Sequence, residues 1–462
     1  MENSLASNKT SFQPIAMILA FCSISAIFIY LIYDGNFVFG STEGGWVYTN
    51  KPWIASIPKW IPVLSLLFIG IMIFLGSRLI QKREKITLLG CLVLSIGIQI
   101  MTSSMVYNTL GDIIMSHDAN SFYVASQQNT PTALFSQYQS LENSLPGHAS
   151  SNMPGKVLFF HFLSLFTKTP QTMGYLIIAI SAMGGLFLYG ICKHLFHDQK
   201  IGLFAFVLYT LIPSKQEFFP ILNTVTPVFI LISLYLFTTY LDLKKKWFLI
   251  LLGISLYLLF IFEPSPLTIG ILFVGILIRA VAQKRVSGRE LVAILLFTIL
   301  SFFATYLLFI SFFSFDIFQA FSYMLKDATQ FNAAEGRSYS IWLRENLKEF
   351  FYAAGLPVMM VFIYLLFIFF GELKDLFTKG YHWTIENTYL ISLLVTFCIV
   401  LFLGINRGEV TRLWIYIAVF FQIPAAYFIV KVVKSNLVFF VLAGTLIVQT
   451  LVSLQRVVFI IK

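Results

Sequence analysis

The sequence predicts an all-α polytopic membrane protein with about thirteen transmembrane helices, and three observations carry that expectation. Of 462 residues, 58% are hydrophobic and only 11% are charged, whereas soluble domains carry about 25% charged residues. Mean hydropathy is +0.84, too high for a chain that must cover a water-facing surface with polar side chains. The apolar residues also come in continuous runs of about 20, the length a helix needs to cross a bilayer. Only helices or closed barrels satisfy every backbone polar group in lipid, and the alternating pattern of barrel strands is absent.

Taken in order, the candidate spans are 14–33, 59–80, 88–110, 173–192, 201–213, 221–241, 247–263, 266–282, 290–312, 353–371, 388–405, 412–430 and 436–455. The first, PIAMILAFCSISAIFIYLIY, lacks a strongly basic start and a small-residue cleavage site, so it reads as a retained helix and not as a signal peptide. The fifth is short for a crossing. Cys22, Cys91, Cys192 and Cys398 lie in or at the ends of apolar runs without paired spacing, which argues against a disulfide framework or a zinc site. Residues 1–87 form an N-terminal extension of two transmembrane helices. Residues 88–462 form the larger transmembrane part, with long polar loops at 111–172 and 313–352.

Charge gives the expected orientation. The N-terminus and the short loops that contain RLIQKREK, KHLFHDQK, DLKKKW, RAVAQKRVSGRE, ELKDLFTK (with Glu386 beyond it) and KVVK hold 18 Lys and Arg against 8 Asp and Glu. The opposite side holds 13 of each, spread over longer segments. The positive-inside rule then puts the N-terminus in the cytoplasm and turns loops 34–58, 111–172, 313–352 and 405–411 outward, in a multi-pass plasma-membrane protein. The net charge of +10 is thus a topology signal, and no nucleic-acid partner is expected. No Walker-type or dinucleotide-binding glycine loop appears. Chemistry on the outer side, where ATP and nucleotide-sugars are absent, has no use for one.

Three stretches hold the candidate site residues. GDIIMSHDANSFYVASQQNT places Asp112, His117 and Asp118 within seven positions, close to Tyr107 and Tyr123. On a helix, Asp118, Phe122 and Ala125 share a face. A carboxylate in a partly dry cleft can take a proton from a hydroxyl as a general base or ligate a divalent cation. Equally, an aspartate before ANSFYVAS is a good N-cap. The residues leave both open, as they leave His117, His148 and His161 open between surface group and ligand. Further on, PGKVLFFHFLSLF predicts an interfacial helix over 156–167, started by a turn at Pro154 and Gly155.

The segment 313–352 predicts two amphipathic helices around NAAEGRSYS that cover a site, with Lys326, Asp327, Arg337, Arg344 and Glu345 mostly a solvated face. In GINRGEVTRLWIY, Arg407, Glu409 and Arg412 fall at a helix start. Two guanidiniums offer fork geometry for a phosphate, with Glu409 to pin one of them; interfacial anchoring beside Trp414 is the alternative. Glu263 in FEPSPL ends a span before two prolines and is expected to face the same cavity. Glu217 in PSKQEFFPILN is the other acid near the outer face.

The frame Asp118-x-x-x-x-Tyr123-x-Ala125, the following NMPGKVLFF, and the proline-bearing turn LIPSKQEFFPILNT resemble the GT-C superfamily of membrane glycosyltransferases, which includes protein mannosyltransferases and aminoarabinose transferases. QFNAAEGRSYSIWLRENLKEFFYAAGLP and NRGEVTRLWIY look like a bacterial group of GT-C-like proteins. The resemblance covers about residues 100–430 and lies more in the order of elements than in any one motif. Two helices precede the loop that is catalytic in the family, and HDAN stands where the family has an Asp-Glu pair. The base is thereby open between Asp118 and Asp112.

The resemblance implies transfer of a sugar from a polyprenyl-phosphate donor to an extracytoplasmic glycan, lipid or protein acceptor of the cell envelope, within membrane lipids. Asp118 would act on the acceptor hydroxyl and Arg407 and Arg412 on the departing phosphate. Glu409 would orient the arginines, with His117, Glu263 and Tyr123 as substrate or metal contacts. Family members differ in their use of a divalent metal ion, so the cofactor stays open. A transporter or lipid flippase is the first rival; the two halves show no repeat, and polar residues concentrate in the loops. A polysaccharide polymerase or ligase that relies on 313–352 and Arg337 is the second, and an inactive scaffold the third.

Overall fold

The computed structural model describes residues 12–50, 58–106, 108–141, 144–379 and 384–460. The N-terminus, assigned to the cytoplasm from charge, and Tyr107 lie outside them. The apolar runs fold as helices α1 (Phe12–Tyr33), α2 (Trp60–Leu79) and α3 (Glu84–Ser103). The first long polar loop becomes α4 (Leu110–Met115), α5 (His117–Gln128), α6 (Pro131–Ser136) and α7 (Gly155–Leu163). Then come α8 (Pro170–Phe196), α9 (Gln199–Thr210), α10 (Pro213–Glu217), α11 (Thr226–Leu243), α12 (Trp247–Phe262), α13 (Gly270–Ala282) and α14 (Gly288–Phe313). The second loop folds as α15 (Ile317–Ala334) and α16 (Tyr339–Ala354), followed by α17 (Leu356–Lys379), α18 (Ile385–Leu403), α19 (Ile415–Val433) and α20 (Asn436–Arg456).

This is an all-α polytopic membrane protein. Among the described residues, ten helices are long and apolar enough to cross a membrane, and the bent pair α16–α17 makes an eleventh. Two of the expected spans, α9 and α12, have 12 and 16 residues, short of the usual crossing length. The expected amphipathic pair in 313–352 is α15 and α16. A two-residue hairpin, β1 (Gly40–Ser41) with β2 (Trp46–Val47), lies in the first loop, Gly40 opposite Val47. The two leading helices pack on the rest of the bundle, α1 against α20 and α17, and α2 against α20 and α3.

Ion pairs define one end of the bundle. Glu84 at the start of α3 receives Lys193 at 2.6 Å and Gln199 at 3.1 Å. Asp198 holds Lys431 at 3.0 Å, and Glu290 holds Lys244 at 3.1 Å. These are the segments richest in Lys and Arg. The other end gathers the hairpin, α4–α7, α15, α16 and the 404–414 loop.

Where a helix breaks inside an apolar bundle, its freed backbone groups need partners. Between α16 and α17 the chain turns by 109° at Gly355, whose φ of +104° is a conformation side chains disfavour. Gln449 serves both sides of that break, its amide nitrogen donating to the Tyr352 carbonyl at 2.9 Å and its oxygen accepting from the Leu356 N–H at 3.1 Å. Gln422 donates to the Ala354 carbonyl at 3.0 Å. A second break, 211–225, holds α10. There Gln216 donates to the Thr210 carbonyl and Ser181 to that of Thr224.

The helix expected over 156–167 is α7, with Pro154 as its N-cap residue. It is more buried than an interfacial helix: Val157, Phe159, Phe160 and Leu163 are buried, while Phe162 and, beyond its end, Leu165 and Phe166 expose large apolar surface. Its first residue, Gly155, lies so close to the end of α12 that a Cβ would stand 2.4 Å from the Ile261 carbonyl oxygen. Gly155→Val therefore forces these helices apart, at a cost of about 1–3 kcal/mol. In thermal unfolding of the detergent-purified protein its midpoint drops, while Gly288→Ala, whose Cβ meets nothing within 4 Å, stays close to wild type.

Candidate functional site

The Asp112 carboxylate closes the start of α4. Thr109 is the N-cap residue, and its hydroxyl and backbone N–H donate to Asp112 Oδ2 at 2.7 and 2.9 Å, while the Asp112 N–H returns a bond to Thr109 Oγ1. This reciprocal capping box satisfies two free helix donors. The Thr109 hydroxyl, with its N–H, holds the exposed Asp112 carboxyl below its usual range.

Asp118 is not a cap, because Ser116 caps α5 through the Ala119 N–H at 3.1 Å. Nor does it share a face with Phe122 and Ala125. The backbone leaves helical geometry at Asn120 (φ −141°, ψ 50°), so Phe122 and Ala125 are buried while the Asp118 side chain is 67% exposed. Its ion contact is His117 Nδ1 at 3.8 Å. Tyr123, half-buried, meets Phe160 edge-on at 5.5 Å.

A turn over Gly147–Ala149 rests on α5, with the Ala149 N–H on Ser121 Oγ at 3.1 Å. It carries His148, whose imidazole has no hydrogen-bond partner among the described residues. Arg412 and Lys156 act on this ring as cations, and Glu409 and Asp118 as anions. Burial, then Arg412, pushes its pKa down to about 4. His148 thus lies within electrostatic range of Asp118 on one side and Arg412 on the other.

Two ion-pair systems, one buried and one partly so, lie within electrostatic range of it. Lys156 of α7 meets Glu263, at the end of α12, at 3.0 Å, and Thr226 at the start of α11 donates to the same carboxylate at 2.7 Å. Opposite, Glu409 pairs with Arg412 and, at 3.3 Å, with Arg337. Burial alone would push the Glu409 carboxyl up; Arg412 and then Arg337 outweigh it and hold it below its usual range. Three cations thus stand against two carboxylates in this cluster, with the exposed Asp118 within electrostatic range of it. Such a cluster can attract an anion, and its neutral imidazole and exposed carboxylate can accept a proton.

Arg407 is occupied elsewhere. Its Nε donates to the Gly404 carbonyl at 3.1 Å, closing the end of α18, and its guanidinium donates to the Arg337 carbonyl at 2.8 Å. Arg337 returns a bond to the Arg407 carbonyl at 2.7 Å. Asn332 and Asn346 donate to the Ile405 and Asn406 carbonyls, each at 2.8 Å, and Tyr48 from the first loop meets Thr411 Oγ1 at 2.8 Å. These bonds fix the 404–414 loop and, with it, Glu409 at φ +57°.

Three contributors were not placed at this site from sequence. His148 had no assigned role, Lys156 was only part of a helix, and Arg337 was counted with a solvated face and named only for the polymerase or ligase alternative. Arg337 is 6% exposed, against the rings of Phe331 and Trp46; its place after a Gly336 turn does not separate it from Arg344 on paper. No group of three or more His, Cys, Asp or Glu that could hold a metal ion occurs among the described residues. His117 and Asp118 alone do not make a cation cage, so no step proposed below runs through a metal.

The low pKa of His148 has a signed consequence. Its ordinary value is 6.5, so below that pH the unfolded chain binds a proton that the folded chain refuses. Stability therefore falls as pH drops from 6.5 towards about 4, by at most about 1.4 kcal/mol per pH unit from this group. Glu409, with its lowered value, loses its contribution further down. Thermal melts across this range should show a shallower slope just below pH 6.5 in His148→Gln than in wild type.

No family model, no curated protein and no solved structure matches this chain.

Proposed function

We propose that the protein is a GT-C-type membrane glycosyltransferase that moves a sugar from a polyprenyl-phosphate donor to an acceptor outside the cytoplasm. The observation that carries this reading is that Asp118, from the loop after α3, and Arg412 and Glu409, from the 404–414 loop, all act electrostatically on His148, with Arg337 paired to Glu409. In this reading the basic end of the bundle faces the cytoplasm and the short α9 and α12 also cross. The reacting groups then lie at the outer surface of a plasma membrane.

Arg412, held among the described residues by Glu409 alone, keeps guanidinium donors for the donor phosphate. Asp118 accepts the proton of the acceptor hydroxyl as its oxygen bonds to the anomeric carbon. The bond from that carbon to the phosphate oxygen breaks, and polyprenyl phosphate leaves with the electron pair. Fixed cations are most useful where this charge develops. Arg407, expected beside Arg412 on the phosphate, is bonded to backbone carbonyls instead, and Arg337 is the second arginine at Glu409, which it positions. The Lys156–Glu263 pair holds the opposite wall, and His117 and Tyr123 flank the acceptor.

Mass spectrometry of envelope glycans from cells carrying each variant tests this. Asp118→Asn should cut the product by about 100-fold or more, Arg412→Gln should reduce it strongly, and Asp112→Asn should leave it near wild type. An unchanged glycan profile in Asp118→Asn at equal protein level would overturn the reading.

One observation favours a second reading, a transporter. Lys215, Gln216 and Glu217 are fully buried in the break between α9 and α11, where sequence had set polar groups in the loops only. Lys215 donates to Gln99 at 3.2 Å and lies 4.2 Å from the Tyr209 ring centre. Glu217 accepts from Tyr352 at 2.6 Å, with its second oxygen unpartnered. Ionisable groups in broken helices mark ion and substrate paths in transporters. The transferase reading expects Glu217→Gln to alter stability but no flux. Lipid scrambling or solute uptake by proteoliposomes, lost in Glu217→Gln and kept in Asp118→Asn, would favour transport.

A further inference from the structure

The end of the bundle opposite the site holds a second charged recess. It is a small, partly open recess between the last turns of α8, α11 and α13 and the first residue of α18. His194, Asp242, Arg279, Gln283 and Arg285 supply its polar lining. We propose that this recess binds a phosphate-bearing anion, gripped by Arg279 and Arg285.

The balance of partners carries the argument. Among the described residues, Asp242 is the only carboxylate on the lining, and it is already used twice. One oxygen faces His194 Nδ1 at 2.8 Å, the other Arg285 at 3.6 Å. His194 is occupied at its second nitrogen too, by Thr239 at 3.3 Å. Arg279 is left over. Its Nε is buried without a hydrogen-bond partner, and among the described residues it forms no ion pair. Arg285 repels it and Glu386 attracts it from beyond bonding distance.

Helix C-termini attract cations, and three of them end here, which accounts for basic residues at this end of the bundle. It does not account for a buried guanidinium nitrogen aimed at no acceptor, beside a second guanidinium and an open space. An unmet buried donor costs about 1–3 kcal/mol, and a phosphate oxygen supplies what is missing, since guanidinium forks match phosphate in charge and geometry. The phosphate can belong to a lipid headgroup or to a soluble anion. This inference stands whether or not the opposite end transfers sugar.

The test uses full-length protein in nanodiscs and reads the thermal midpoint. In phosphatidylcholine nanodiscs, inorganic phosphate is titrated against chloride at equal ionic strength; in a second arm, phosphatidylglycerol is added to the disc. A shift with inorganic phosphate assigns the site to a soluble anion. A shift with phosphatidylglycerol alone assigns it to a headgroup. In either case Arg279→Gln and Arg285→Gln should each lose more than half of the shift, and Arg78→Gln, exposed at the same end but outside the recess, should keep it. Arg285 is half-exposed, so its variant keeps the test intact should Arg279→Gln fold poorly. No shift in either arm, or equal shifts in wild type and Arg285→Gln, overturns the proposal.

Discussion

Glu409 between Arg412 and Arg337 is the interaction on which the site end depends. Taking one carboxylate and two guanidiniums out of water costs several kcal/mol per ion, a cost recovered only if the geometry holds. Here it is held by neutral hydrogen bonds. Asn332, Asn346 and Tyr48 draw α15, α16 and the first loop onto 404–414, and the reciprocal carbonyl contacts of Arg337 and Arg407 lock the two loops together. Remove either arginine and Glu409 is left with an incompletely compensated charge. The same arrangement leaves a net cation within electrostatic range of His148, so the forces that assemble the loops also make this end of the bundle attractive to an anion.

The members of that cluster differ in exposure. Arg337, Lys156 and Glu263 are buried and paired and Arg412 is paired and mostly covered, whereas His117 and Asp118 sit on an exposed first turn of α5. The kink at Asn120 makes the difference. It lets Phe122 and Ala125 anchor the helix in the core while the two residues before the kink turn away from it. A rigid anion-binding wall opposite an accessible carboxylate suits a reaction in which one substrate is held by charge and the other arrives from water. It suits a closed transport path less well.

Sequence made the helices legible because lipid imposes a length and a composition on them. It made the amphipathic pair α15–α16 legible because its apolar residues repeat at helical spacing. Pairings between distant loops leave no such trace. Asp112 and Asp118 look alike on paper, yet one completes a capping box and the other does not, because Thr109 stands three residues before Asp112. Arg407 and Arg337 likewise exchange expected roles: a carbonyl at the end of α18 captures Arg407, and Glu409 captures Arg337. Periodicity reports which side of a helix is wet and says little about which loop residue finds a partner across the fold.

The buried α10 segment exposes the same limit from another direction. Its PSKQE reads as a polar turn, which normally stays at a surface because its backbone groups need water. In this bundle side chains stand in for that water: Ser181 and Gln216 donate to backbone carbonyls at the break, and Gln99, Thr102 and Tyr352 bond the side chains of Lys215, Gln216 and Glu217. The 109° bend at Gly355 is supported in the same way by Gln422 and Gln449. Both breaks meet where α10 packs on α16 and α20, directly behind the loop that carries Glu409. Straight helices through this region would carry α16 past the site end; bending them there turns α16 across it, so its Asn346 and Trp342 can hold the loops in place. The irregular core is therefore what allows a flat, charged wall to be built at the end of an apolar bundle.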